Sequence, residues 1–381
     1  MRLFEYETKK ILRSEGIPVP QGVVASTPNE AKKFVEDLAK PVILKAQVLV
    51  GRRGKAGGIL TAHTPQEAAE AAEKLLKTDI GGQKVNEILI EERLNTLQEL
   101  YLSVAVDDSE GKPVILASSE GGIEVEEIAA EQPEKIVKKH VYTLSGLRQY
   151  ESRTIAKRIG LRGNLMSRAS DILWRLYQLF ERYDATIVEV NPLIVTEGGD
   201  FFAAGAVMII DDDSLSRHPN IEAKVELRIE DEIEKRAWRN GIPFARLDGD
   251  IGIIGSGAGL AIATIDLVEH YGGKPANFMD TGGQITHQRV KECLEVLMMN
   301  PRVRGIIINM YGGINPMVEA AQAIVDFINI HGLAIPIVVK VRGNFEEEAW
   351  TILERAGIEV VKSTQTETAA QRIVQKTRGR V

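Results

Sequence analysis

A two-domain α/β protein, its second half a doubly wound parallel sheet, is what three features of the sequence predict. At 381 residues the chain exceeds the usual single-domain size. It is 44% hydrophobic and 27% charged, with its 34 glycines spread through many turns, the composition of a soluble globular protein. Beyond residue 250, short apolar runs alternate with helical patterns, as in a parallel sheet covered on both faces.

Taken in order, an amphipathic helix opens the chain and ends at Gly16, before the extended exit Pro18-Val19-Pro20. Strands are expected at 22–25 and 42–48, flanking a helix capped by Thr27 or Asn29. A helix over 65–76 leads to a strand at 87–90. Strands at 100–106 and 114–118 then join through Asp107-Asp108-Ser109-Glu110-Gly111. Helices follow at 152–159 and 164–183. Strands at 186–195 and 201–210 make a hairpin across Glu197-Gly198-Gly199-Asp200. The charge-dense stretch 217–238 reads as a helical connector. After it, strands are expected at 251–255, 276–280, 305–310, 335–341 and 359–361.

Charge and cysteine usage exclude several classes. A net charge of −7 leaves no cationic excess for general nucleic-acid binding, so basic loops are local sites. Cys293 is the only cysteine, which rules out an internal disulfide or a cysteine-based zinc site and agrees with a reducing, cytoplasmic setting. The acidic Met1-Arg2-Leu3-Phe4-Glu5-Tyr6-Glu7 lacks the apolar core of a signal peptide. The glycine-containing run 251–268 reads as buried strand and helix, with no membrane span.

Three places in the first half carry chemistry. Lys45 ends the apolar run Val42-Ile43-Leu44 and is followed by Gly51-Arg52-Arg53-Gly54-Lys55-Ala56-Gly57-Gly58. Glycines let backbone N–H groups approach an anion, and Lys45, Arg52, Arg53 and Lys55 can neutralise a triphosphate. A solvated basic turn is the rival reading. Glu91, after Ile88-Leu89-Ile90, and Glu99 can accept hydrogen bonds from a base or ribose, or can be plain surface acid. In Glu189-Val190-Asn191-Pro192, a period of two puts Glu189 and Asn191 on one strand face, where a hard cation such as magnesium could sit. A polar hairpin face is the alternative.

In the second half, Gly255-Ser256-Gly257-Ala258-Gly259 lies between a strand and a helix, so the helix start presents free N–H groups to an anion. A dinucleotide site is the rival, with Asp280 as its ribose-binding acid, although the glycine spacing departs from that fingerprint. None of His63, His140, His218, His270, His287 and His331 has the glycine-rich setting of a phosphorylated histidine. His287 reads as an exposed helix-start residue.

Taken together, Leu3-Phe4-Glu5-Tyr6-Glu7-Thr8-Lys9, the stretch 45–58, Glu91, Ser119-Glu120-Gly121-Gly122-Ile123-Glu124 and Glu189-Val190-Asn191-Pro192-Leu193 resemble the ATP-grasp half of the succinyl-CoA synthetase β-subunit family. Gly255 to Ala261, Lys274 to Gly283 and Tyr311-Gly312-Gly313-Ile314 look like that family's ligase domain, so the resemblance covers essentially the whole chain. It implies an ATP-grasp domain over 1–236 and a flavodoxin-like CoA-ligase domain over 237–381. The implied enzyme is an acid:CoA ligase acting with an α subunit, as αβ or α2β2, without nucleic acid or membrane. A nucleotide, ATP or GTP, phosphorylates a histidine on the α subunit. The phosphate passes to succinate, and CoA, bound mainly by the α subunit, displaces it. By position, Lys45, Arg52, Arg53 and Gly54 hold the phosphates, and Glu91, Leu94 and Glu99 the adenosine. Asn191 is a Mg2+ ligand, and Ser256, Gly257, Gly313, Ile314 and Asn315 face the acid and phosphohistidine.

Four departures bear on that reading. Gly205 stands where the family has its second magnesium ligand. Glu189 or water is then the substitute, because Asp211, Asp212 and Asp213 lie roughly 20 Å further along the extended chain. Arg52 replaces a glycine, Ser256 an asparagine, and Asn315-Pro316-Met317 a Val-Arg-Cys type of sequence. These changes leave two alternatives open: another carboxylic acid, with Arg342 offered to a second carboxylate, or a non-catalytic regulatory paralogue with impaired Mg-nucleotide binding.

Overall fold

The structure is a computed structural model and describes residues 1–51, 53–123, 125, 132–222, 225–229, 231–283, 285–332 and 335–379. Arg52 and Glu124, both named above, lie outside the described residues. The chain divides into two compact units, Met1–Glu222 and Ala223–Val381.

The first unit holds two antiparallel sheets. One is four-stranded in the order β1-β6-β2-β3, built from β1 (Gly22–Ala25), β2 (Val42–Ala46), β3 (Ile59–Ala62) and β6 (Ile88–Glu92). The short pair β4 (Asp79–Ile80) and β5 (Gln83–Lys84) stands apart. Strand alternation divides the four-stranded sheet cleanly. Val42, Leu44, Ala46, Ile88 and Ile90 join Ala31, Val35, Ala68, Ala72 and Leu75 of the helices Pro28–Leu38 and Pro65–Leu76 in one buried cluster. Ile43, Lys45, Leu89 and Glu91 occupy the other face, since Ile43 pairs with Glu91 and Lys45 with Leu89. Thr27, and not Asn29, caps the first of these helices: its Oγ1 accepts from the Glu30 amide at 3.3 Å, and Glu30 returns a bond to the Thr27 amide.

The second sheet contains β7 (Thr96–Asp107), β8 (Lys112–Ser118), β9 (Ile136–His140), β10 (Ala185–Thr196), β11 (Phe201–Ala203) and β12 (Ala206–Ile210). The helix Gly163–Arg182 packs on β7 and β10 through a buried stripe that includes Ile172, Leu173, Leu176 and Tyr177. The return strand expected over 201–210 is interrupted at Ala204-Gly205. There β10 changes partner from β12 to β11, at the cis peptide Asn191–Pro192.

The second unit is the parallel sheet the alternation predicted. Strands β14 (Ile251–Gly255), β16 (Gly305–Gly312), β17 (Ile337–Gly343) and β18 (Glu359–Val360) pair in that order. A further strand, β15 (Asn277–Met279), lies on the far side of β14 through parallel bridges at Ile251–Pro275 and Gly255–Asp280, and pairs antiparallel with β13 (Phe244–Arg246). The resulting order, β15-β14-β16-β17-β18, is the flavodoxin-like 2-1-3-4-5. Asn277 explains why β15 is shorter than expected: its fully buried amide accepts from Ile253 N at 3.0 Å and donates to Ile253 O at 2.8 Å, replacing the backbone ladder there.

Ile306 and Ile308 point into a core with the helices His287–Met298, Met317–His331 and Glu346–Arg355, and Cys293 is fully buried in it. Ile307 and Val338 point oppositely, toward the helices Ala258–His270 and Thr366–Arg378. Part of the charged connector belongs to this unit. Ile233 and Ala237 of the helix Glu232–Arg239 lie in the first of these cores, and Asp231 pairs with Arg246. The compact units divide along the chain after Glu222. Among the described residues, no helix is long and apolar enough to cross a membrane.

Candidate functional site

Within the first unit, a cavity of about 690 Å³ opens between the two sheets. Pro41, Ile43, Ile59, Leu94, Pro192 and Ile194 give it apolar walls. Lys45, Arg53, Arg93, Glu99 and Asn191 supply polar groups. Its size and mixed lining suit a nucleotide-sized ligand. The structure thus gathers Lys45, Arg53, Leu94, Glu99, Asn191 and Gly205 around one space. Gly54 follows Arg53 in an exposed turn and is not part of the lining.

Lys45 sits over a buried ionic cluster. Its Nζ donates to Glu5 Oε1 at 3.0 Å, to Glu91 Oε2 at 2.7 Å and to the Ala204 carbonyl. Lys9 donates to both Glu91 oxygens at 2.6 Å and to the same carbonyl at 2.5 Å. Arg53 pairs with the second oxygen of Glu5 and donates to Ala46 O at 2.9 Å. Burial opposes ionisation of Glu5, but Lys45, Lys9 and Arg53 outweigh it and hold that carboxyl well below the usual range. Burial likewise works against the Lys45 ammonium, and Glu5 and Glu91 overcome it, raising its pKa above the ordinary lysine value. Lys9 is held below that value, by burial first, with Lys45 adding to the effect.

Glu91 is placed differently from the expectation that it meets adenosine. Only 2% exposed, its carboxylate lies beneath Lys45 and is gripped by two lysines, away from the cavity lining. Glu99 does line the cavity. It is half-buried against Gly122, and burial raises its pKa.

The residues expected to hold a cation are bonded to other protein groups in this structure. Asn191 Oδ1 accepts from the Gly122 amide at 2.8 Å and its Nδ2 donates to Ile123 O at 2.9 Å, so both ends of the side chain clamp the loop before residue 124. Glu189 accepts from the Tyr101 hydroxyl at 2.9 Å. Gly205 contributes no ligand, and a Cβ there would lie 2.0 Å from the Asn191 carbonyl oxygen, so this backbone admits only glycine. Asp212 pairs with the N-terminal ammonium at 2.5 Å, and Asp211 caps the turn that follows it. Among the described residues, no three carboxylate, histidine or cysteine groups converge as metal ligands.

In the second unit, glycine loops meet at the carboxyl ends of β14, β15, β16 and β17, around the point where strand order reverses. Asp280 ties two of them together: its Oδ1 accepts from Gly257 N at 2.6 Å and Gly282 N at 2.7 Å. Asp280 therefore holds the loops together, a role different from the ribose contact of the dinucleotide reading. Ser256 Oγ accepts from Tyr311 N at 2.8 Å, Asn315 donates to Gly283 O at 2.9 Å, and Asn344 donates to Gly313 O at 2.9 Å. Ile314 is 90% exposed at the tip. The predicted residues Ser256, Gly257, Gly313, Ile314 and Asn315 therefore form one knitted rim. Arg342 is turned away, onto Glu346 at 2.9 Å and Lys362 O at 2.8 Å, and His287 pairs with Asp326 at 2.9 Å.

Sequence reasoning missed Glu5 and Lys9 as site residues. A signal was present: Glu5, Thr8, Lys9 and Leu12 are the buried i, i+3, i+4, i+7 stripe of the helix Glu5–Ser14, with charge where an amphipathic helix carries apolar residues.

Comparison with known proteins agrees with this architecture. A family model described as an ATP-grasp domain matches residues 2–195, and one described as CoA-ligase matches residues 254–374. The chain is 47% identical over 363 residues to the succinate–CoA ligase [ADP-forming] subunit beta of Ignicoccus hospitalis, covering 95% of this chain and 96% of that one. It is 44% identical over 354 residues to the succinate–CoA ligase [GDP-forming] subunit beta of Thermus thermophilus, covering 93% of each. Among solved structures, ATP citrate lyase from Methanothrix soehngenii, in complex with citrate and coenzyme A, shares the fold with a TM-score of 0.76 at 17% identity over 99% of both chains. With an ATP-grasp match, a CoA-ligase match and 44–47% identity to these subunits over at least 93% of its length, the chain belongs to the succinate–CoA ligase β-subunit family.

Proposed function

We propose that this chain is the nucleotide-binding β subunit of an ADP-forming succinate–CoA ligase working with an α subunit. The observation that carries the proposal is the cavity between the two sheets, with a cationic floor at Lys45 and Arg53 and apolar walls at Ile43, Ile59, Leu94 and Ile194. The walls sandwich the base, Glu99 accepts from ribose hydroxyls, and Lys45 and Arg53 meet the phosphate chain.

The γ-phosphoryl group moves to a histidine of the α subunit, leaving ADP. Succinate then takes it, giving succinyl phosphate and free histidine, and CoA displaces inorganic phosphate to form succinyl-CoA. In the second unit, the uncapped start of the helix Ala258–His270 supplies backbone N–H groups to the phosphoryl group, on loops held by Asp280. No step is assigned to a magnesium ion held by Asn191 and Glu189, because those side chains are committed elsewhere.

Co-expression with an α subunit and labelling with γ-labelled ATP tests the proposal. Label on an α-subunit histidine that succinate plus CoA discharges supports it. Label that only another acid discharges replaces succinate with that acid, and absence of label with ATP or GTP overturns the reading.

A further inference from the structure

An ammonium group has three N–H donors. All three of Lys45 are spent inside the protein, on Glu5, Glu91 and the Ala204 carbonyl. For Lys45 to meet a phosphate it must give up at least one of these partners, and both carboxylates are buried, Glu5 at 4% and Glu91 at 2% exposure. A buried carboxylate stripped of its counter-ion is strongly unfavourable. The site therefore needs a second cation that stays behind.

We propose that Lys9 is that cation: a positioning residue that holds Glu91 and Glu5 so that Lys45 can turn to the nucleotide phosphates. The proposal rests on the nucleotide-binding reading given above. Lys9 is placed for the task, with its Nζ 2.6 Å from both Glu91 oxygens, 2.9 Å from Glu5 Oε1 and 2.5 Å from the Ala204 carbonyl, so it touches every group that Lys45 would leave. It does not line the nucleotide cavity. The charge balance makes its role explicit. Glu5 and Glu91 carry two negative charges, and Lys9, Lys45 and Arg53 carry three positive charges. When Lys45 departs, while Arg53 keeps its bond to Glu5 and offers only its remaining N–H donors to phosphate, two of each sign remain and the cluster is neutral. Without Lys9 the cluster is neutral only while Lys45 stays at home. Its departure would then leave a net buried negative charge, and nucleotide binding would have to supply the difference.

Removal of Lys9 is thus expected to weaken nucleotide binding more than it weakens the fold. Calorimetric titration of the full chain with adenylyl imidodiphosphate should show wild-type binding and a dissociation constant roughly a hundredfold higher in Lys9→Met. The discriminating variant is the double substitution Lys9→Met/Glu91→Gln. It removes one charge of each sign, so Lys45 again leaves a neutral cluster, and affinity should recover to within about tenfold of wild type. A residue with only a structural role would lower the urea-unfolding midpoint of Lys9→Met and leave the affinity of the folded protein unchanged, so both are measured on each variant. Lys9→Met binding as tightly as wild type, or a folded double variant no better than the single one, overturns the inference while leaving the nucleotide site in place. Failure of the wild type itself to bind overturns both. Should Lys9→Met not fold, a crystal structure of the wild type with the same analogue decides. Lys45 on phosphate with Lys9 still on Glu91 supports the proposal, and Lys45 still on Glu5 and Glu91 overturns it.

Discussion

Gly205 shows how one residue without a side chain shapes a site. With its notional Cβ only 2.0 Å from the Asn191 carbonyl, Gly205→Ala should force β10 and the return segment apart. The expected cost is about 1–3 kcal/mol, read as a lowered thermal midpoint. Glu99 makes a prediction of opposite sign. Burial raises its pKa, so the folded state binds that proton more tightly than the unfolded chain does. Stability is therefore lost as pH rises from the ordinary carboxylate range through the raised value. Glu99→Gln should be more stable than wild type at neutral pH, and the difference should close in acid, as urea unfolding at several pH values would show. At this scale the sequence disclosed residue types better than their directions. Lys45, Arg53 and Glu99, which the sequence offers to a nucleotide, line the cavity. Glu91 and Asn191 were legible as polar residues in the right strands. Their side chains point to Lys9 and to Gly122 because of partners 82 and 69 residues away in sequence, which no local pattern specifies.

Among the elements, boundaries failed where a side chain took over a backbone task or where a strand changed its pairing partner. The pattern of short apolar runs between helices located β14, β16 and β17, whose apolar residues are buried on both faces. It overextended β15 because the Asn277 amide replaces the ladder, and it ran β11 and β12 together because a change of pairing partner leaves no mark in hydropathy. The connector was legible as helical and charged, while its membership of the second core hung on Ile233 and Ala237 alone. The loops at the carboxyl ends of the parallel strands depend on one side chain. Asp280→Ala removes the acceptor shared by Gly257 and Gly282, each bond to a carboxylate being worth about 1.5–3 kcal/mol. Amide exchange at both glycines should accelerate, and turnover should fall more than nucleotide affinity does.

Across the whole molecule, each unit owns a core, so destabilisation should be local. Leu176→Ala in the first unit and Leu294→Ala in the second should each cost about 2–5 kcal/mol, and limited proteolysis should cut first in the unit that carries the change. The fold class was readable from composition and alternation because both units obey ordinary amphipathic rules. The cluster of Glu5, Lys9, Lys45 and Glu91 breaks those rules, which is why it marks the site. Cys293 follows them, and that obedience makes it useful. Fully buried at the heart of the second unit, its thiol is pushed up to about 12 by burial, so it is inert while that unit stays closed. The chain thereby carries its own stopwatch: a thiol-reactive dye should label the native protein only as fast as the CoA-ligase unit opens, timing that event with no engineered probe.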